Sequence, residues 1–320
     1  MHLPARDIPV PASLSPQAQA IVSMGPVGGS PYPTLDDTEG WRSRAAESDA
    51  LIVQMIGERA SQAAASAEEV DLDGVRVYVV TPHDLPSDDG RAVLEIHGGA
   101  FVTGGGESCR IMGLNAVGLS RVRTWALDYR MPPDHPYPAP LDDCVAAYRA
   151  LLRDHRPDEI IVRGGSAGGN LAAAMILRSR DEGLPLPAAA VLMTPEVDLT
   201  ESGDSFHTNL GLDNVLTESL MPANLLYAGD HDLSDPYLSP LFADFGKGFP
   251  PSMLTTGTRD LFLSNTVRLH RALRSAGVPA DLHVVEGAGH AGFFSQTPED
   301  EELASEVRSF IDAHWPQSVA

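Results

Sequence analysis

Cysteine is scarce in this chain. Only Cys109 and Cys144 occur in 320 residues, which rules out a disulfide framework or a cysteine-rich metal site. No apolar run reaches the ~18 residues that a membrane-spanning helix needs. The opening residues Met1-His2-Leu3-Pro4-Ala5-Arg6-Asp7 lack the apolar stretch of a secretory signal. Together these absences lead to the expectation of a cytoplasmic protein. Basic residues are few as well: 22 Lys and Arg against 44 Asp and Glu give a net charge of −22. Such a surface does not attract nucleic acid or an anionic membrane. The histidines and acids show no ligand spacing such as H-E-x-x-H, so neither a metal nor a cofactor is expected.

What the chain does have is a hydrophobic content of 43% and enough length for one large core. Residues 1 to about 35 are broken by Pro4, Pro9, Pro11, Pro16, Pro26, Pro31 and Pro33, which forbid one long helix; a short one fits Ser15 to Met24. Thr38 to Ala67 reads as helix, with Trp41, Ala45, Ile52, Met55 and Ile56 recurring on one side. Val70–Leu72 and Val75–Val80 flank Asp73-Gly74, a two-residue hairpin signal. Strands then alternate with helices, with strands at Ala92–His97, Thr124–Tyr129, Ile160–Val162, Ala189–Met193, Met253–Gly257 and Asp281–Val285. The helices between run from Ala139 to Arg153, Asn265 to Ala276 and Glu299 to Trp315. This order predicts an α/β fold with a mostly parallel twisted sheet and helices on both faces. The alternation fails over 200–228, so a cap is expected from residues 1–67 together with 200–228, over a core of 68–199 and 229–320.

The sharpest local pattern is Ile160-Ile161-Val162-Arg163-Gly164-Gly165-Ser166-Ala167-Gly168-Gly169-Asn170. A β-branched run, a glycine turn around one serine and an Ala/Leu-rich helix start give the context of a nucleophile elbow. Small flanking residues let strand and helix cross closely, and the hydroxyl of Ser166 is held at a helix N-terminus, where a developing anion is favoured.

A serine needs a base within hydrogen-bond reach. In folds carrying this elbow the acid and then the histidine follow the serine in the chain. His290 fits, in the small-residue loop Glu286-Gly287-Ala288-Gly289-His290-Ala291-Gly292 after the last strand. His283 reads as structural, His270 as solvated on its helix, and His135, His207 and His231 as loop residues without a partner. Asp260, in Gly257-Thr258-Arg259-Asp260-Leu261, is the first candidate for the carboxylate that orients the base, and Glu286 the second. His97-Gly98-Gly99-Ala100 ends an early strand. The amides of Gly98, Gly99 and Ala100, with that of Ala167, are candidates for an oxyanion hole, and His97 reads as a loop-shaping hydrogen bonder. Tyr129 and Asp198 are candidate braces for these loops.

At this point the chain resembles the hormone-sensitive-lipase-like esterases, the bacterial family IV carboxylesterases of the α/β-hydrolase fold. The resemblance rests on His97-Gly98-Gly99-Ala100-Phe101, Asp128-Tyr129-Arg130, Gly164-Gly165-Ser166-Ala167-Gly168-Gly169-Asn170, Asp260 and His290. It implies Ser166 as nucleophile, Asp260 as acid, His290 as base, an oxyanion hole and an N-terminal cap. Two positions depart from the family pattern. Ala100 stands where the family has a third glycine, and Gly165 where it usually has Asp before the serine. The expected activity is hydrolysis of short- to medium-chain carboxylic esters, with lactones or amides as alternative substrates of the same triad. A non-catalytic ligand-binding protein on this fold is the alternative of another class. The expected partner is a small-molecule ester or lactone, and a homodimer is left open. Trp41, Ile52, Met55, Ile56, Leu210, Leu220 and Leu225 are candidates for lining a substrate pocket.

Overall fold

The computed structural model of the chain describes residues 7–26 and 31–316. The opening residues 1–6, which carry most of the signal-sequence expectation, lie outside the described residues. Eight strands form one sheet in the order β1-β2-β4-β3-β5-β6-β7-β8. They are β1 (Ala65–Leu72), β2 (Val75–Pro82), β3 (Ala92–Ile96), β4 (Arg123–Asp128), β5 (Ile160–Gly165), β6 (Ala189–Met193), β7 (Ser252–Gly257) and β8 (Ala280–Val285). β2 is antiparallel to both β1 and β4, and every other pair is parallel. The helices are α1 (Pro16–Ser23), α2 (Thr38–Ser61), α3 (Glu107–Ser120), α4 (Ala139–Asp154), α5 (Ala167–Asp181), α6 (Ser205–Thr208), α7 (Met221–Ala228), α8 (Leu263–Ser275) and α9 (Pro298–Ala313).

The period-two alternation of the strands puts apolar side chains on both faces of the sheet. On one face Val162, Leu192 and Leu254 pack with α4, α5 and α8 through Leu141, Leu171, Ile176 and Leu269. On the other, Ile161, Val191 and Met253 pack with α9 through Val307, Phe310 and Ile311. Both faces are covered, so β5 can be apolar along its length, as a buried parallel strand requires. Its one charged residue, Arg163, is buried with Glu95 of β3 in an ion pair of 2.5 Å. No helix among the described residues is long and apolar enough to cross a membrane.

Two local expectations are corrected. The helix expected to continue to Ala67 ends at Ser61, and residues 65–72 are the edge strand β1, in register with β2 from Ala65↔Pro82 to Leu72↔Val75. Local propensity in Ala-Ser-Ala-Glu-Glu yields there to eight paired positions that begin at the Asp73-Gly74 turn. His270 is half-buried rather than solvated, its Nε2 lying 3.2 Å from the Ala280 carbonyl, which ties α8 to β8.

Candidate active site

Ser166 alone separates β5 from α5, and it takes φ 56° and ψ −126°, a conformation that costs a non-glycine residue roughly 1–3 kcal/mol. Its surroundings hold it there. Its N–H donates to the Met193 carbonyl at 2.9 Å, and its own carbonyl accepts from Asn170 at 3.1 Å and Glu196 at 3.2 Å. The glycines around it are steric requirements. A Cβ on Gly168 would sit 2.0 Å from the Ile96 carbonyl oxygen, and one on Gly164 2.3 Å from that of Gly168. A Cβ on Gly98 would come within 3.1 Å of Ser166 Cβ, so the loop after β3 abuts the serine. Gly165 is different, since a Cβ there meets nothing closer than 3.6 Å, an ordinary contact with Met193. Ala167 opens α5, so its N–H lacks an intrahelical acceptor.

The loop after β3 turns through positive φ at Gly99 (123°), Ala100 (50°) and Phe101 (64°). The Gly99 carbonyl accepts from the amides of Val102 and Thr103, each at 3.0 Å. Among the described residues no hydrogen bond engages the amides of Gly99 and Ala100, which leaves two donors beside Ser166. His97 shapes this loop as expected. Its Nδ1 lies 2.8 Å from the Gly98 carbonyl, its ring stacks on Tyr129 at 4.2 Å, and Tyr129 donates to the His97 carbonyl at 2.9 Å. Burial pushes the His97 imidazole pKa down, which suits a neutral structural group.

On the far side, His290 Nδ1 meets Asp260 Oδ1 at 3.2 Å. Asp260 is fully buried and is itself fixed by Thr256 Oγ1 at 2.7 Å and the Phe262 amide at 2.8 Å. It lies in the turn before α8 and does not cap that helix, whose N-cap is Phe262. Glu286, the second candidate acid, is exposed. The edge of Phe262 packs against the His290 ring at 4.8 Å. Burial disfavours the His290 imidazolium, but Asp260, Asp213 and Glu196 more than offset this and raise its pKa. Of the other histidines, His283 pairs with Glu306 at 2.6 Å, and His135, His207 and His231 are exposed.

Three contributors to this site escape sequence reasoning. Asp213, from the segment between β6 and β7, accepts from the His290 amide at 3.1 Å. Glu196 follows β6, and its amide binds the Ser166 carbonyl while its charge acts on His290. Burial pushes its pKa up to about 8. The neighbouring Asn224 side chain opposes that rise only in part. The third is α1. Leu14, Ala18 and Ile21 pack on Ala288 and Phe293 of the His290 loop, so this part of the N-terminal segment is a buttress. Trp41 belongs to the same expected cap segment. It is fully buried against Val102 of the loop after β3 and Ala223 of α7. Leu220 is buried with Phe206, Leu261 and Phe262, whereas Met55, Leu210 and Leu225 are exposed at 54%, 51% and 37%. Among the described residues Asp198, a candidate brace, binds Thr200, Ser202 and Arg268 of α8 and none of the three loops around Ser166 and His290.

One cluster has metal-ligating chemistry. His97, Cys109 and Asp128 bring one donor atom each within 4.8 Å of one another, all buried. Asp128 already holds the Arg76 guanidinium at 2.5 Å, and burial keeps the Cys109 thiol protonated by pushing its pKa up. Both features disfavour a cation there.

A family model described as alpha/beta hydrolase fold matches residues 93–294. An esterase of Acinetobacter venetianus is 29% identical over 223 residues, which span 68% of this chain and 73% of that protein. The crystal structure of an esterase called E25 is 36% identical and superposes with a TM-score of 0.90 over 99% of both chains. A crystal structure of an esterase from the bacterial hormone-sensitive lipase family is 29% identical, with a TM-score of 0.80 over 94% of this chain and 99% of that one. The chain therefore belongs to the α/β-hydrolase fold family, and within it to the hormone-sensitive-lipase-like carboxylic ester hydrolases.

Proposed function

We propose that Ser166, His290 and Asp260 form the catalytic triad of this ester hydrolase, and that Gly98, Gly99, Ala100 and Ala167 form its oxyanion hole. The observation that carries this reading is a strained serine at the head of α5 in the same chain as a part-buried His290–Asp260 hydrogen bond. His290 Nε2 takes the Ser166 hydroxyl proton as Oγ attacks the ester carbonyl. The tetrahedral oxyanion is held by the amides of Gly99, Ala100 and Ala167, with Gly98 allowing the loop to approach. The imidazolium, stabilised by Asp260, passes its proton to the departing alcohol and leaves an acyl-serine. Water then gives its proton to His290, attacks the acyl carbon and releases the acid, and Ser166 recovers its proton.

Short- to medium-chain acyl groups are the proposed substrates. Ala100 lies between two packed apolar clusters, Trp41 and Val102 on one side and Phe206, Leu220 and Phe262 on the other, which restricts the space beside the oxyanion loop. Hydrolysis of p-nitrophenyl acetate, butyrate and octanoate by wild type and Ser166→Ala tests both statements. Serine-dependent turnover that declines toward octanoate is expected. Turnover that survives in Ser166→Ala would remove the triad, and a preference for octanoate would remove the size limit.

A further inference from the structure

Asp213 lies between α6 and α7, outside both the elbow and the histidine pair, and is fully buried. Its hydrogen bonds among the described residues all come from backbone amides. Oδ1 accepts from Val215 at 2.9 Å and Leu216 at 3.1 Å, and Oδ2 from Leu261 at 2.9 Å and His290 at 3.1 Å. A buried carboxylate is costly unless its lone pairs are used, and four donors use them. Two of these donors close a local turn. The other two belong to the residue after Asp260 and to His290 itself, 48 and 77 residues away in the chain. The tip of the histidine loop is shaped to admit this segment. A Cβ on Gly289 would lie 2.5 Å from Asn214 Oδ1 and 3.1 Å from Asp213 Oδ1.

Resting on the triad reading above, we propose that Asp213 is a positioning residue. It fixes the backbones of Leu261 and His290 in one frame, so that Nδ1 meets Asp260, and it adds a fixed negative charge beside the imidazolium formed in each half-reaction. The groups that face His290 are Asp260 from the turn after β7, Asp213 from the insertion, Glu196 from the end of β6, and the Phe262 ring edge. Burial alone would destabilise the imidazolium, and the carboxylates reverse that. The base must be neutral in the free enzyme, so removing one carboxylate moves the acid limb of kcat/KM to lower pH. It also lowers kcat, because the transition state contains the imidazolium.

The test compares wild type, Asp213→Asn, Asp213→Glu and Ser166→Ala on p-nitrophenyl butyrate, with active sites counted by fluorophosphonate titration. For Asp213→Asn, kcat per titrated site is expected to fall about tenfold or more, with KM within about twofold. Its acid limb is expected to move down by roughly half a pH unit. Asp213→Glu keeps the charge, so its acid limb should stay at the wild-type pH even where kcat falls. Wild-type kcat per site and an unmoved acid limb in Asp213→Asn would overturn the proposal, as would variants that lose titratable sites and nothing else. Should Asp213→Asn not fold, a shifted acid limb in Asp213→Glu overturns it and an unshifted one supports it. Turnover by Ser166→Ala would instead overturn the triad reading.

Discussion

The serine side and the histidine side of this site are built in opposite ways. The elbow is assembled by its own turn and by the ends of the strands flanking β5. Gly164, Ser166 and Gly168 lie within one turn, and β3, against which Gly168 packs, is the adjacent strand. The histidine loop is held by separate parts of the chain, by Leu14 and Ile21 of the N-terminal segment, by Asp213 from the insertion and by Asp300 of α9, whose carboxylate accepts from the Phe293 amide at 3.0 Å. The difference teaches that the conformation of Ser166 is enforced sterically, whereas His290 is placed by contacts that many parts of the chain can loosen.

The largest effect should come from breaking the elbow. Gly168→Ala pushes a methyl into the Ile96 carbonyl at 2.0 Å, and a loss of about 4 kcal/mol or failure to fold is expected in urea unfolding. Glu196→Gln acts where the two sides meet. An acid whose folded pKa is raised from 4.5 to about 8 holds its proton more tightly in the folded state, so folding loses stability as pH climbs between those values. Glutamine escapes that loss. The variant should be more stable than wild type at pH 7 by on the order of 2 kcal/mol, with the gain vanishing toward pH 4. Melting curves across that range check it, and a gain that does not vary with pH would contradict it. Leu14→Ala loosens the histidine side alone. About 2 kcal/mol of stability and several-fold in kcat should be lost, while Ser166 is still labelled by a fluorophosphonate in every folded molecule. The smallest effect is expected for Gly165→Asp, which places the family's usual residue where a Cβ makes only ordinary contacts. A change within about 1 kcal/mol by thermal melting is expected.

The same contrast explains what was legible in the sequence. The elbow could be read because its glycines and serine stand together between Ile160 and Asn170, and the sheet because strand and helix periods alternate after Ala92 except over 200–228. The order of Asp260 and His290 in the chain and their small-residue loops point to the pair, 30 residues apart, whose side chains meet in the structure. Asp213 could not be found. Its partners lie 48 and 77 residues away, and Asn-Leu-Gly-Leu-Asp-Asn reads as an ordinary loop. Glu196 follows a strand and a proline, as a surface acid often does, and only packing shows that it is sealed in. β1 was cut short because its pairing with β2, which local propensity does not encode, decides its length.

The most direct test of the account is to map the adduct of a fluorophosphonate by mass spectrometry in wild type and in His290→Ala, with turnover of p-nitrophenyl butyrate followed in the same samples. One adduct per chain on the peptide containing Ser166, lost together with turnover in His290→Ala, is the expected result. An adduct elsewhere, or turnover that persists once Ser166 is fully labelled, would contradict it.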